Sequence, residues 1–303
     1  MRVVTLLPSA TEIVYALGVE PVATSHECDW PPEARDRPAV NYSRVDPDAS
    51  PADINDQVVE AEQGEGVYGI DLDALERADP DVVVSQGVCD VCAVDAVLVE
   101  EAVAELGLDC EVVTTDAHSI DDVLADVERL GAVLHREQEA EAVVAGLRER
   151  IDSVTERASE ATDSPRVAVL DWTDPVMVAG HWVPEMVESL GAEYGLEDPG
   201  LDSRPREWAE IREYDPEVLV AAPCGFGLDQ TLENLGDLTD RDGWRDLAAV
   251  ETDRAYAMDG HHYVNRPGPR LVDTLEYLAG LIHPDVFDAP PEDVARPLAR
   301  QVA

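Results

Sequence analysis

Residues 137–161 read EQEAEAVVAGLRERIDSVTERASEA, and the period of their apolar side chains decides the architecture. Val143, Leu147, Ile151 and Val154 recur on one face of a helix. Some 20 to 25 helical residues span roughly 30 to 38 Å at about 1.5 Å each, longer than a packing helix of an α/β lobe needs. The pattern stops at Thr162-Asp163-Ser164-Pro165. Just upstream, Ser119 opens "IDDVLADVERLGAVLH" with a Ser-x-x-Asp cap, so the long helix is preceded by a second one.

On both sides of this helical stretch the chain alternates strands and helices. Upstream, "RVVTLLPSATEIVYALG" reads as a strand ending at Leu7, a loop carrying Pro8, and a helix that a Ser9–Glu12 capping box opens and Gly18 closes. Val22-Ala23-Thr24 reads as a short strand, "DLDALERADPDVVVSQ" as helix and strand, "VDAVLVEEAVAELG" as a helix, and Glu111-Val112-Val113-Thr114 as a strand. Downstream, "RVAVLDW" restarts the pattern, Pro184 begins the helix "PEMVESLG", strands follow at Val218–Ala222 and Ala255–Met258, and "PRLVDTLEYLAGLIH" closes the chain. Alternation of this kind predicts parallel sheets with covered faces. The expected organisation is an N-terminal α/β lobe over 1–118, a helical linker over 119–164 and a C-terminal α/β lobe over 165–303. A ligand cleft is expected between the lobes at the carboxyl ends of the strands.

Composition narrows the partners. The 303 residues carry 66 acidic and 21 basic side chains, a formal charge of −45, which opposes binding to nucleic acid or an anionic lipid surface. Hydrophobic content is nevertheless 45%, as in a folded protein with a very acidic skin rather than an acidic disordered chain. The deficit falls on lysine, arginine supplying the basic side chains, and such a surface suits a solvent of very high salt that screens self-repulsion. No stretch approaches the roughly 20 apolar residues of a membrane span. Arg2–Leu7 is too short for a signal core, so the literal expectation is a cytoplasmic monomer, or an extracytoplasmic one if an upstream signal precedes this start. Five cysteines, an odd and low count, argue against a disulfide framework.

The loops after the predicted strands hold most of the chemistry. They carry Pro8 and Ser9, "SHECDW", "SQGVCDVC", "DWTDP" with "GHWVPE", "PCGFG" and "GHHYVNRPGPR". Although aromatics make up only 5% of the chain, Trp30, Trp172, Trp182, Phe226 and Tyr263 all fall there, rigid apolar area of the kind a large flat ligand needs. His26, Cys28, Cys89 and Cys92 have the donor types of a four-ligand zinc site. A redox Cys-x-x-Cys would fit the position after a strand but lacks a neighbouring Trp or Pro, and the plainest reading of the pair is a cleft wall. Asp171, Asp174 and His181 are the acid–base candidates, yet no nucleophile elbow, P-loop or dinucleotide fingerprint accompanies them, and a non-enzymatic protein is expected.

At these residues the chain resembles the cobalamin-binding branch of the iron-siderophore and vitamin class of ABC-transporter substrate-binding proteins. The likeness rests on "RVVTLLPSATEIVYALG", "HECDWP", "CDVCAV", "PCGF" and "RPGPR" together and covers almost the whole chain. It implies two Rossmann-like lobes joined by one rigid helix, little hinge motion, and one corrinoid held between aromatic surfaces. It further implies ligand contacts from Pro8, Ser9, Trp30, Gln86, Trp172, Tyr263 and Arg266; His181, Trp182 and Phe226 of the post-strand loops join them as ligand-binding candidates, with cobalt ligation by His26, His181 or His262 open but not required. Gln86 stands where members often carry an aromatic. Permease docking is implied for Asp73 in the first lobe, whereas its counterpart is Ala209, flanked by Glu207 and Glu210. Two alternatives remain: a cytoplasmic zinc-, iron- or haem-binding protein using Cys28, Cys89, Cys92 and Cys224, and an enzyme acting on a corrinoid precursor through Asp171, Asp174 or His181.

Overall fold

The computed structural model describes residues 1–64, 66–87, 94 and 96–298. The first lobe runs β1 (Val3–Thr5), α1 (Pro8–Ala16), β2 (Asn41–Ser43), α2 (Pro51–Glu62), β3 (Tyr68–Ile70), α3 (Leu72–Ala78), β4 (Val82–Gln86), α4 (Ala96–Leu106) and β5 (Glu111–Thr115). Strands β1, β4 and β5 form a parallel sheet in the order β1-β4-β5, while β2 and β3 make a separate antiparallel ribbon. Every residue of β4 is buried, as a strand covered on both faces must be.

The opening helix departs from its expected start. No Ser9–Glu12 capping box forms: Pro8 takes the first helical position, Leu7 is the N-cap, and Ser9 already lies inside the helix. Proline's fixed φ suits that first position, and the Glu12 carboxylate is drawn away by Arg266 and Arg270 of the second lobe. Gly18, at φ 72°, closes the helix in the left-handed conformation as expected. Val22–Thr24 makes only single bridges, Val4 with Ala23 and Thr24 with Ala39, so it is an edge contact rather than a strand.

Helices α5 (Ile120–Val133) and α6 (Glu137–Ala158) connect the lobes, with Ser119 capping α5 by accepting a hydrogen bond from Asp122 N. The 22 residues of α6 span about 33 Å. Their apolar stripe touches both cores: Ala140, Val144 and Leu147 pack with first-lobe Val3, Val82 and Val84, whereas Val154 and Ala158 pack with second-lobe Val167 and Val169. Ile151 lies against both clusters. A helix whose one face is buried in two cores cannot pivot without opening one of them, which makes it a strut.

The second lobe comprises β6 (Val167–Thr173), β7 (Val176–Val178), α7 (Val183–Ser189), β8 (Arg204–Pro205), α8 (Trp208–Tyr214), β9 (Val218–Ala221), α9 (Leu228–Glu233), α10 (Gly236–Thr239), α11 (Ala248–Glu251), β10 (Ala255–Met258), α12 (Leu271–Ile282) and β11 (Ala295–Pro297). Its six strands lie in the order β11-β10-β9-β6-β7-β8, parallel from β10 to β6 and antiparallel at both edges. The lobes repeat one local device. In α3 and α8 alike an acidic N-cap opens a helix of seven residues, and a left-handed Asp, Asp79 or Asp215, closes it ahead of a proline and a buried strand. Two α/β lobes with parallel sheets, joined by one long helix, are thus the observed class.

Candidate functional site

The loops at the carboxyl ends of the strands meet between the lobes, and there charge rather than open space dominates. Arg266, 4% exposed, reaches across from the second lobe to Asp29 at 2.6 Å and Glu12 at 3.2 Å. Arg270 donates to the same Glu12 oxygen at 2.6 Å, while Glu12 Oε2 is buried without a partner. His262 sits between two carboxylates, Nδ1 at 2.7 Å from Asp259 and Nε2 at 2.7 Å from Asp29. Hydrogen bonds that the ring donates to Asp259 and Asp29 raise its pKa to about 9, so the ring is charged near neutral pH. Burial by itself would raise the Asp29 carboxyl, but hydrogen bonds from His261, His262 and Arg266 hold it well below the carboxylate range.

Aromatic side chains flank this lattice. The Arg270 guanidinium lies 5.0 Å from the Trp30 ring centre and 5.5 Å from that of Tyr263, so one cation joins aromatics of both lobes. Trp30 is 46% exposed, a large share for tryptophan at the seam of a folded protein. A second aromatic pair, Trp172 and Phe226 with centres 5.2 Å apart, packs against first-lobe Val45, Ile54 and Val67 from the β2-α2-β3 segment. Gln230 Nε2 adds a bond to Pro47 O at 2.7 Å. The two patches share a wall, since His261 N donates to Phe226 O at 2.9 Å.

The residues expected at the site are therefore sorted by the structure. Trp30, Tyr263 and Arg266 come together, as do Trp172 and Phe226. Pro8 and Ser9 open α1, but Gly268 of "RPGPR" lies against Ser9, where an added Cβ would be 3.3 Å from Ser9 Cα. Gln86 ends β4 as a buried polar residue. Trp182 is a core residue instead of a cleft wall: it is 5% exposed and its Nε1 donates to Val264 O at 2.9 Å. His181 stands beside His118 and Asp202, with no aromatic contact to the Trp30 group among the described residues. Asp73, Glu207 and Glu210 are exposed at the N-terminal turns of α3 and α8, Glu207 and Glu210 forming a reciprocal capping box.

The metal candidates divide likewise. Cys89 and Cys92 lie outside the described residues. Burial pushes the Cys28 thiol up to about 12, and the thiol sits 3.0 Å from Thr11 Oγ1 in the first-lobe interior, an inert position rather than that of a thiolate ligand. His26 has Nδ1 at 3.1 Å from Asn41 and Nε2 at 3.1 Å from Glu27. Cys224 is half-buried behind β9, its N donating to Asp171 O at 2.9 Å. Asp29, His261 and His262 offer ligand atoms within 4.8 Å of one another, but both His262 nitrogens already face carboxylates and Arg266 brings its positive charge to Asp29. Of the acid–base set, Asp174 pairs with Arg241 at 3.4 Å, and burial raises Asp171 to about 6 against a lowering hydrogen bond from Ser203.

A family profile described as periplasmic binding protein matches residues 3–261. The chain belongs to the periplasmic binding protein family. Within that family's reach, a curated relative, the uncharacterized ABC transporter substrate-binding lipoprotein YvrC of Bacillus subtilis (strain 168), is 23% identical over 293 residues, covering 94% of this chain and 81% of its own. Two solved structures share the fold. The periplasmic heme-binding protein RhuT of Roseiflexus sp. RS-1 is 20% identical at a TM-score of 0.69, covering 94% of this chain and 98% of that one. The periplasmic vitamin B12 binding protein BtuF of Vibrio cholerae is 18% identical at a TM-score of 0.67, covering 93% and 96%. At such identities the likeness is one of fold.

The sequence reading missed the most connected residues of this periplasmic binding protein's seam. Glu12 is masked by spacing that imitates a capping box, and Asp29, His261 and Arg270 lie inside quoted motifs without being singled out there. Spacing gives no signal for Arg270, since Arg35 and Arg37, Arg148 and Arg150, and Arg204 and Arg206 stand closer still; only its place in the loop-rich stretch after β10 points to it.

Proposed function

We propose that the protein is the substrate-binding component of an ABC transporter and captures a corrinoid of the cobalamin type between its lobes. The observation that carries this reading is the Trp30–Arg270–Tyr263 stack, flat apolar surface drawn from both lobes, in a seam whose cations are already neutralised. Arg266, Arg270 and His262 face Glu12, Asp29 and Asp259. An anionic ligand such as haem, with its carboxylates, or an acidic siderophore would have to displace those partners inside a molecule of charge −45. Corrin amides need only hydrogen bonds and aromatic contact. Binding requires Trp30 and Tyr263 to part and the ligand to enter between them, with half-buried Trp172 forming the adjoining wall over the buried Phe226.

Delivery to a permease would use the exposed acidic turns at Asp73 and at Glu207 with Glu210, which occupy corresponding places in the two lobes. The relative named as a lipoprotein moves the favoured location from the cytoplasm to the outer side of the membrane. No helix among the described residues is long and apolar enough to cross a membrane. The role is binding, without catalysis. An absorption spectrum of protein purified from its own host tests the ligand class: corrinoid bands support the reading, and the Soret band of haem contradicts it.

A further inference from the structure

A second constellation lies where the linker meets the second lobe. His118, in the loop between β5 and α5, His181, just before α7, and Asp202, just before β8, offer ligand atoms within 4.8 Å of one another. His181 Nδ1 is 3.8 Å from Asp202 Oδ1, and the two imidazole centres are 5.5 Å apart. Both His118 Nδ1 and His181 Nδ1 are buried and lack any hydrogen-bond partner. A buried imidazole nitrogen left bare is unfavourable, so two of them on neighbouring rings call for an occupant. His118 Nε2 faces Asp116 Oδ1 at 3.3 Å. A proton on Nε2, donated to that carboxylate, leaves the Nδ1 lone pair free for a ligand, as the outer carboxylate does in metal-bound histidines.

The local backbone is built to hold this arrangement. His181 has φ 51°, in the left-handed region that a side chain other than glycine rarely takes. Gly180 before it must be glycine, because a Cβ there would meet Leu201 O at 2.2 Å and Ser203 N at 2.7 Å. That close approach lets His181 N donate to Leu201 O at 2.6 Å and Gly200 N to His181 O at 2.9 Å, so the loop bearing Asp202 is fixed to His181. On the other side His118 N donates to Asp122 at 3.0 Å, and Ile120 N donates to Glu185 of α7 at 3.1 Å. The two histidines are thus presented from separate rigid parts, while the Asp202 side chain, 75% exposed, is free to swing.

We propose that His118, His181 and Asp202 bind a divalent transition-metal ion of the zinc class across the seam between the linker and the second lobe. Two neutral imidazoles and one carboxylate, with a fourth position open to water, match that ion's preferences. Tetrahedral ligands lie about 3.4 Å apart at zinc bond lengths, so a rotation of Asp202 and a small closure of the rings complete the site. The ion would fasten the start of α5 to the second lobe. It stands independently of the ligand proposed for the cleft.

Equilibrium dialysis of the full chain against ZnCl2, in high salt to suppress adsorption on the acidic surface, tests this. One zinc per chain is expected at micromolar concentration, with affinity lowered at least tenfold in His118→Gln and in His181→Gln and more weakly in Asp202→Asn, whose exposed side chain makes it safe for folding. Cobalt(II) should give a tetrahedral visible spectrum in the wild type that the same variants lose. Absence of stoichiometric zinc in the wild type overturns the proposal. So does zinc retained undiminished by folded Asp202→Asn and His118→Gln, or zinc lost only in Cys89→Ser.

Discussion

Arg266 of the second lobe and Asp29 of the first meet at 2.6 Å in a nearly dry seam, and Glu12 shares the same guanidinium nitrogen. Removing that cation leaves Glu12 to Arg270 alone and Asp29 to His262 and His261, each carboxylate short of one buried donor. Arg266→Met should therefore destabilise the protein by about 2 to 3 kcal/mol, the loss of charge-assisted hydrogen bonds to carboxylates that keep Arg270 and His262 as partners. Denaturant unfolding at fixed salt measures it, and a loss below about 1 kcal/mol would show the pair to be solvated.

The same seam sets a pH window. His262, raised to about 9 from the ordinary 6.5, contributes stability fully present below pH 6.5 and lost as pH climbs through 9. Asp29, held low, contributes stability present above its ordinary 3.8 and lost as pH falls below it. For a His262 side chain 33% exposed the alkaline term, discounted for solvent screening, is about 1 to 2 kcal/mol. Thermal melts between pH 5 and pH 10 should show an alkaline decline that flattens in His262→Gln; an unchanged slope in the variant would refute the assignment.

The strut helix offers a packing test. A Cβ at Gly131 of α5 would stand 2.4 Å from Ala140 Cβ of α6 and 3.2 Å from Arg136 O. Gly131→Ala should force the two helices apart and cost about 1 to 3 kcal/mol despite alanine's better helix propensity. A stability gain would mean that the contact relaxes freely.

Much of this was legible in the sequence, and the failures share a cause. The stripe Val143, Leu147, Ile151 and Val154 announced α6, and the Asp-Pro-strand units announced β4 and β9, because burial of one helix face or of a whole strand writes its own period. Segment 41–70 escaped notice, since β2 and β3 are three-residue strands and α2 buries only Pro51 and Ile54, leaving little period to display. Long-range partners are not written in spacing at all. Glu12 looked like a cap until arginines more than 250 positions away claimed it, and Trp182 looked like Trp30 until its Nε1 found Val264 O in the core.

Charge supplies another outcome. At −45 the folded chain repels itself, and only dense counterions relieve it. Dialysis from molar salt into dilute buffer should unfold the protein, followed by far-ultraviolet circular dichroism; an unaltered spectrum and melting point would remove the halophilic reading.

Uptake of a corrinoid in the seam between Trp30 and Tyr263 would make both rings report on the ligand. Calorimetric titration of the apo chain in high salt with cobalamin, run beside haem, tests it most directly. The account predicts one cobalamin per chain with quenching of tryptophan fluorescence, at least tenfold weaker binding in Trp30→Ala, and little affinity for haem. Neither heat nor spectral change with cobalamin, together with saturable uptake of haem, would contradict it.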